Sequence, residues 1–367
     1  MEKFKLMGYK ETEMNDELIQ HINEIRQKWG KKLLILGHYY VPDEVFQLTD
    51  VQGDSLALSQ YAESDSSAEA VIFCGVHFMA ETADILENSP EKIKSRGGKQ
   101  VPVMLLDVAA GCPMADMAKI EDVEAAWAVF GQALDVEAEF LPVTYVNSSA
   151  SVKAFCGRHG GTVCTSANAE SVLKWAFSQK NRVFFLPDQN LGRNTALKMG
   201  VLPEEICLWN EETWTSPSVL EKIRRSKVIL WNGYCPIHHE MEPLKESFLG
   251  KIMVHPECPQ EVVSQSDISG STTELIRVVK NSMPGENLMI GTEATLVNRL
   301  KREYPDRNIL HLGKEHFCQD MLRNTLSQLC NVLDSLETGN PINVVKVPAE
   351  IAEDARTALR RMLEVKK

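Results

Sequence analysis

One pattern of residues is written three times along this chain, and that repetition limits the fold more than any local propensity does. The first copy carries LLILGHYY (Leu33–Tyr40), GDSLALS (Gly53–Ser59) and VIFCGVHFMAE (Val71–Glu81). The second carries PVTYVNSS (Pro142–Ser149), VCTSANAES (Val163–Ser171) and VFFLPDQNLG (Val183–Gly192). The third carries KIMVHPE (Lys251–Glu257), ISGSTTELI (Ile268–Ile276) and LMIGTEATL (Leu288–Leu296). His38, Asn147 and His255 take equivalent places, as do Ser55, Ser166 and Ser271, with successive copies roughly 110 residues apart.

Short, near-continuous apolar runs alternate with amphipathic stretches inside each copy. In the first, Lys32–Tyr40 and Ala70–Gly75 read as strands, and Leu56–Ala62 and Phe78–Glu87 as helices. The alternation predicts an α/β architecture of three similar αβα units, each with a parallel sheet covered on both faces. The expected units are 1–115 with an N-terminal helix, 116–240 with an inserted helix, and 241–367 with a C-terminal helix. Leu18, Ile22 and Ile25 recur at helical spacing, so the N-terminal helix is expected over Asn15–Trp29 with Asn15 as its cap. Pro348–Val365 reads as the C-terminal helix.

The repeat also sorts the nine cysteines. A last apolar strand, Val103–Asp107 in the first copy and Asn308–Leu312 in the third, is followed closely by Cys112 and Cys318. In the second copy the corresponding strand is expected at Ile206–Asn210, with Glu211–Ile229 an insertion ahead of Cys235. A pseudo-threefold arrangement of the units would bring these three loops to one axis. Three thiolates with one open position suit either a [4Fe–4S] cluster with a free iron or a catalytic zinc. Buried structural cysteine is the plainer reading for Cys74, Cys164, Cys207 and Cys330.

Composition narrows the setting. A formal charge of −12 disfavours nucleic-acid and anionic-membrane partners. No run of 18 apolar residues is present, so no transmembrane helix is expected. The N-terminal stretch MEKFKLMGYKETEMNDE has no apolar signal core, and an odd number of cysteines fits reduced thiols in a cytoplasmic protein.

In open α/β sheets ligands collect where strands end and helices begin. His38 to Tyr40, Asn147 to Ser149, and His255 with Glu257 fall there. Ser55, Ser166 and Ser271–Thr272 are expected to open helices, where free N–H groups and the helix dipole favour phosphate or carboxylate, although plain capping explains any one of them. His238 and His239 read as a solvent-facing pair and His77 as non-catalytic. Phe78 and Met79 read as pocket wall.

GHYYVPDE, GDSLALS, GVHFMAET, GCPMADM, YVNSSASVK, CTSANA, PDQNLG, HPECP, SGSTTE and IGTE, in that order, resemble the iron–sulfur quinolinate synthase family from about Leu33 to Asn324. The resemblance implies three αβα domains about a pseudo-threefold axis. It also implies a transferase that condenses iminosuccinate (iminoaspartate) with dihydroxyacetone phosphate to quinolinate, releasing phosphate and water, in de novo NAD biosynthesis. By motif, Cys112, Cys235 and Cys318 would hold a [4Fe–4S] cluster with one iron not bound by protein. His38, Ser55, Tyr145, Val146, Asn147, Ser166, His255, Pro256, Glu257 and Thr272 match substrate-binding positions, with His38, Tyr40 and Glu257 as proton carriers. Cys258 is rejected as a ligand, and a transient contact with an iminosuccinate-forming oxidase is expected. The alternatives are another metal-dependent hydro-lyase or condensing enzyme, or a non-enzymatic iron–sulfur sensor.

Overall fold

The computed structural model describes residues 2–64, 67–209, 217–244 and 246–365. The first sheet contains β1 (Leu33–His38), β2 (Val51–Gly53), β3 (Ala70–Cys74) and β4 (Val103–Leu105). The second contains β5 (Phe140–Tyr145), β6 (Thr162–Cys164), β7 (Arg182–Leu186), β8 (Ile206–Leu208) and β9 (Val228–Leu230). The third contains β10 (Lys251–Val254), β11 (Ile268–Ser269), β12 (Asn287–Gly291) and β13 (Asn308–His311). A late strand, β14 (Val344–Val345), returns antiparallel to β4, and all other pairings are parallel. The protein is therefore α/β, with three parallel-dominated sheets built from repeated αβα units.

The first and third sheets share one internal order, second strand, first, third and fourth, and the second sheet follows it with β9 in the fourth place. The chain leaves the first strand toward one side and then crosses to the other. The ends of the first and third strands therefore flank the switch point, where a crevice opens in such folds. In the first sheet both bordering strands, and in the second β5, are buried along their whole length, as the runs LLILGH, AVIFC and FLPVTY require when helices cover both faces.

This order corrects the expected alignment of the second copy. β9, not the run beginning at Ile206, takes the fourth-strand place, and β8 is an extra strand outside it. The insertion is thus β8 together with the helix Pro217–Arg225, whose Val219 and Ile223 are buried. Asn210 and the start of the Glu211–Ile229 segment lie outside the described residues. With β9 as the reference, Cys235 follows its fourth strand as directly as Cys112 and Cys318 follow theirs.

By packing, the chain forms two compact units. One comprises the chain up to Gly53, Ala57–Gly111 and Gln319–Lys346; the other comprises Asp54–Leu56, Cys112–Cys318 and the chain from Val347. In the first unit the N-terminal helix runs over Glu2–Trp29, so Asn15 lies inside it and does not cap it. No proline interrupts the Lys-, Glu- and Met-rich residues ahead of Asn15, and such residues continue a helix readily. Ile22 and Ile25 are buried as their spacing requires, and the helix packs along Leu326–Glu337.

The second unit holds sheets two and three. Behind β5 and β7 lies an aromatic cluster in which Trp127, Phe130, Phe140, Phe155 and Phe184 meet mostly edge to face. Burying each such ring contributes about 1.5–3 kcal/mol. The C-terminal helix Ala349–Glu364 packs on helix Ala150–Arg158 and β6 of the second sheet. Gly157 permits that approach, since a Cβ there would stand 2.0 Å from the Asp354 carbonyl oxygen.

Candidate active site

Cys112, Cys235 and Cys318 all lie in the second unit as reduced, half-buried thiols. Cys112 caps the short helix Pro113–Asp116 and Cys235 caps Pro236–His239. A proline after each costs no hydrogen bond, because the first N–H groups of a helix have no partner within it. Backbone N–H groups of Ala115 and Met114 point at the Cys112 sulfur, and that of His238 at the Cys235 sulfur.

Burial pushes the Cys112 thiol up to about 12, and the nearby charge of Cys318 adds to it. Burial also raises Cys235, helped by Glu257 and Cys112. The three thiols thus share one electrostatic neighbourhood, and a cation placed among them would hold them as thiolates. Three thiols with N–H groups aimed at sulfur form a donor set suited to an iron–sulfur cluster.

Two buried carboxylates hold two of these loops. Asp188, just after β7, caps the helix Gln189–Lys198 by accepting from Leu191 N–H at 2.7 Å, and its other oxygen accepts from Cys235 N–H at 3.2 Å. Glu293, just after β12, caps Ala294–Glu303 through the N–H groups of Thr295 and Leu296 and accepts from Cys318 N–H at 3.2 Å. Sequence reading missed both residues, although PDQN and GTEA occupy the same repeat position.

Beside the thiols, HPE ends β10 with His255 and Glu257 almost fully buried. His238 is buried as well: Nδ1 lies 2.9 Å from Glu257 Oε2 and Nε2 lies 3.1 Å from Thr292 Oγ1. The expected solvent-facing pair is therefore wrong for His238, because the one-turn helix after Cys235 folds that ring inward. His239 stacks on Tyr234, with ring centroids 4.1 Å apart. His238 and His255 stack at 4.5 Å, and His255 Nδ1 lies 3.7 Å from Glu257 Oε1.

Burial alone would raise the Glu257 carboxyl, but His255 and His238 outweigh it and hold the group below the usual carboxylate range. Tyr145 adds a hydrogen bond to Glu257 from the end of β5. Asp188 moves the opposite way, raised by burial and by the charge of Glu257. The two neighbouring carboxyl groups are thus pushed in opposite directions, Glu257 down by the two imidazoles and Asp188 up by burial and by the charge of Glu257. Asn194 holds the HPEC turn from below, donating to the carbonyls of Pro256 and Cys258 at 2.9 and 2.8 Å.

The serine and threonine positions divide on inspection. Ser271 is a plain N-cap, accepting from Glu274 N–H, and Thr272 is buried beside it. Ser166 does not open a helix, since helix Ala169–Gln179 is preceded by Asn168; its hydroxyl lies 3.2 Å from His255 Nε2. Ser55 begins its helix, and the neighbouring Asp54 accepts from Thr273 Oγ1 at 2.6 Å. Val146 donates its N–H to Cys164. Asn147 Oδ1 is buried with no hydrogen-bond partner among the described residues, which leaves an acceptor open toward a ligand.

In the first unit, His38 ends β1 in a buried position and Nδ1 accepts from Tyr40 N–H at 3.2 Å, with the two rings edge to face. His77 is half exposed, while Phe78 and Met79 are buried. Cys74 lies inside β3, and Cys258 sits in an apolar cluster with its sulfur 3.5 Å from Met241 Sδ.

Comparison with known proteins agrees with this arrangement. Residues 20–364 match the family described as quinolinate synthetase A protein (NadA). A quinolinate synthase of Rhodopirellula baltica is 48% identical, over 98% of this chain and 94% of its own. One of Geobacillus sp. (strain WCH70) is 44% identical, over 99% and 95%, and one of Bacillus cereus 42%, over 96% and 94%. No helix among the described residues is long and apolar enough to cross a membrane. With three thiols gathered beside two buried carboxyl groups and this match along nearly the whole chain, the chain is an enzyme and belongs to the quinolinate synthetase A family.

Proposed function

We propose that this enzyme condenses iminosuccinate with dihydroxyacetone phosphate to quinolinate, releasing phosphate and water, as a step of NAD biosynthesis in the cytoplasm. The observation that carries the reading is the gathering of Cys112, Cys235 and Cys318 in one unit beside Tyr145, His255 and Glu257. These cysteines would hold a [4Fe–4S] cluster whose remaining iron, when bound, polarises a substrate oxygen or nitrogen. The three αβα units, 1–115, 116–240 and 241–367, would then be arranged about a pseudo-threefold axis.

Around that centre the side chains divide the work. Glu257, held ionised, takes a proton, and His255 or His238 returns one. Asn147 Oδ1 accepts from a substrate N–H or hydroxyl. Ser55, Ser166 and Thr272 offer donors to carboxylate or phosphate oxygens, with Val146 and Pro256 shaping the backbone around them. His38 and Tyr40 join as proton carriers on motif evidence. The supply of unstable iminosuccinate fits a transient contact with the oxidase that forms it.

One observation favours a second reading, a single-ion hydro-lyase: donor atoms of Cys235, His238 and Glu257 lie within 4.8 Å of one another. Anaerobic purification with iron, zinc and sulfide analysis, followed by a quinolinate assay from the two substrates, separates the readings. Iron and sulfide in equal amounts with quinolinate formed is the expected result. Zinc without sulfide, or no quinolinate from a fully loaded protein, overturns the proposal.

A further inference from the structure

Within the first unit, the N-terminal helix brings His21 against Cys330 and Asp334, which sit one turn apart on the helix Leu326–Glu337. Donor atoms of the three side chains lie within 4.8 Å of one another. The Asp334 carboxylate stands between the other two, with Oδ1 2.7 Å from His21 Nε2 and Oδ2 3.7 Å from Cys330 Sγ. The sequence reading of Cys330 as a plain structural cysteine does not account for this company.

We propose that His21, Cys330 and Asp334 bind a borderline divalent transition ion of the zinc class, at a surface site distinct from the active-site cysteines. The donor set selects the ion. One imidazole nitrogen, one thiolate and one carboxylate suit zinc or cobalt, whereas calcium and magnesium prefer all-oxygen shells.

The geometry is close to what the ion needs. Zinc bonds of about 2.0–2.3 Å in a tetrahedron place ligand atoms roughly 3.3–3.8 Å apart. The Sγ–O separation already fits, and the N–O contact has only to open from hydrogen-bond to ligand spacing. Two ligands at i and i+4 on one helix and a third from its neighbour leave the fourth position to water. An ion would enter from the side of His21 and Asp334, whose side chains are about half exposed, at 47% and 50%, and reach Cys330 buried behind them.

The local field favours a cation. Glu24 and Glu337 join Asp334 in acting on His21, and Lys28, two turns along the same helix, is taken up by Glu337. Without an ion, His21 Nε2 and Asp334 Oδ1 share a hydrogen bond of 2.7 Å, so metal entry displaces the proton between them and one from the thiol. The bound ion would fasten the N-terminal helix to Leu326–Glu337, continuing a seam in which Trp29 Nε1 already donates to Glu337 at 2.6 Å.

The test uses the full chain, purified anaerobically with its iron in place, dialysed against zinc alone and washed. Elemental analysis should find one zinc per chain with iron unchanged, and zinc-edge absorption should show one sulfur at about 2.3 Å. His21→Ala, Cys330→Ser and Asp334→Asn should each lose the zinc and keep the iron. Asp334→Asn, altering a half-exposed residue, serves if Cys330→Ser fails to fold. No zinc retained by the parent chain overturns the proposal. So does zinc retained equally in Asp334→Asn, or two or more sulfurs around it, which would place the ion on the active-site thiols.

Discussion

The loops that carry Cys235 and Cys318 take a carboxylate anchor from within their own sheets, whereas the loop before Cys112 takes its carboxylate from a distant part of the chain. In the second and third sheets a carboxylate after the third strand, Asp188 or Glu293, caps the next helix and accepts the cysteine N–H. In the first sheet the equivalent place is Val76, whose side chain can accept nothing. There the backbone is held one residue early: Gly111 N–H donates to Asp320 Oδ1 at 3.0 Å, and Ala110 accepts from His77 N–H. The repeat has kept the position of the thiol while changing what holds it. A thiol's place and its anchoring can therefore vary independently.

The largest expected effect tests whether the three thiols are equivalent despite their different anchors. Cys112→Ser, Cys235→Ser and Cys318→Ser should each lose stable iron and sulfide, because serine replaces thiolate poorly as a ligand to iron. Cys258→Ser should keep both, since its sulfur packs against Met241 in an apolar cluster. Metal analysis of anaerobic protein decides it. Iron lost from Cys258→Ser and retained by Cys235→Ser would dissolve the comparison altogether.

Next come the two local anchors. Asp188→Ala and Glu293→Ala each leave a cysteine N–H and a helix start without their acceptor. Unmet buried donors cost about 1–3 kcal/mol, and a lost cap costs about 1 kcal/mol more. Denaturant titration should show the loss, and iron should leave these variants faster than it leaves Val76→Ala. Equal iron retention in all three would mean that the carboxylates serve only their helices.

How much of this was legible follows the same division. Sheets, strand ends and the three cysteines were readable because apolar periodicity and repeat spacing are local or regularly spaced signals. The second copy misled the strand alignment: Ile206–Leu208 and Val228–Leu230 are both short apolar runs, and only sheet order shows which is fourth. His238 was misplaced because a one-turn helix leaves no periodicity from which to read a buried face. Asp188 and Glu293 were missed because the hydrogen bond that ties each to a cysteine is made to a residue far along the chain. Asp320 gave no sequence signal at all for its contact with Gly111.

Asp320→Ala probes the distant anchor and should have a smaller effect. Asp320 is only partly buried, and water can take over part of its role at Gly111 N–H. A loss of about 0.5–1.5 kcal/mol is expected, the usual net value of one hydrogen bond. Combined with Asp188→Ala the effects should add, because the two anchors share no partner. Strong non-additivity in denaturant titration would show that the loops are coupled.

Glu293→Gln should have the smallest effect and is the most selective change. The carboxylate now uses Oε2 for the N–H groups of Thr295 and Leu296, while Oε1 faces Cys318 N–H and the Thr295 hydroxyl. An amide of the same shape can keep its oxygen on the helix start and turn its NH2 group toward the Thr295 hydroxyl, which is able to accept. Cys318 N–H then faces a donor and loses its partner. Helix capping should survive and Cys318 is only partly buried, so global stability should fall by about 1 kcal/mol, the low end for an unmet donor. Iron retention and the electron paramagnetic resonance spectrum of the reduced protein should nevertheless change, because the disturbed N–H belongs to a ligand. A drop in stability as large as that of Glu293→Ala, with iron retention and the spectrum unaltered, would show that the glutamate acts on its helix alone. The third sheet would then hold its cysteine by a means other than the carboxylate it shares with the second.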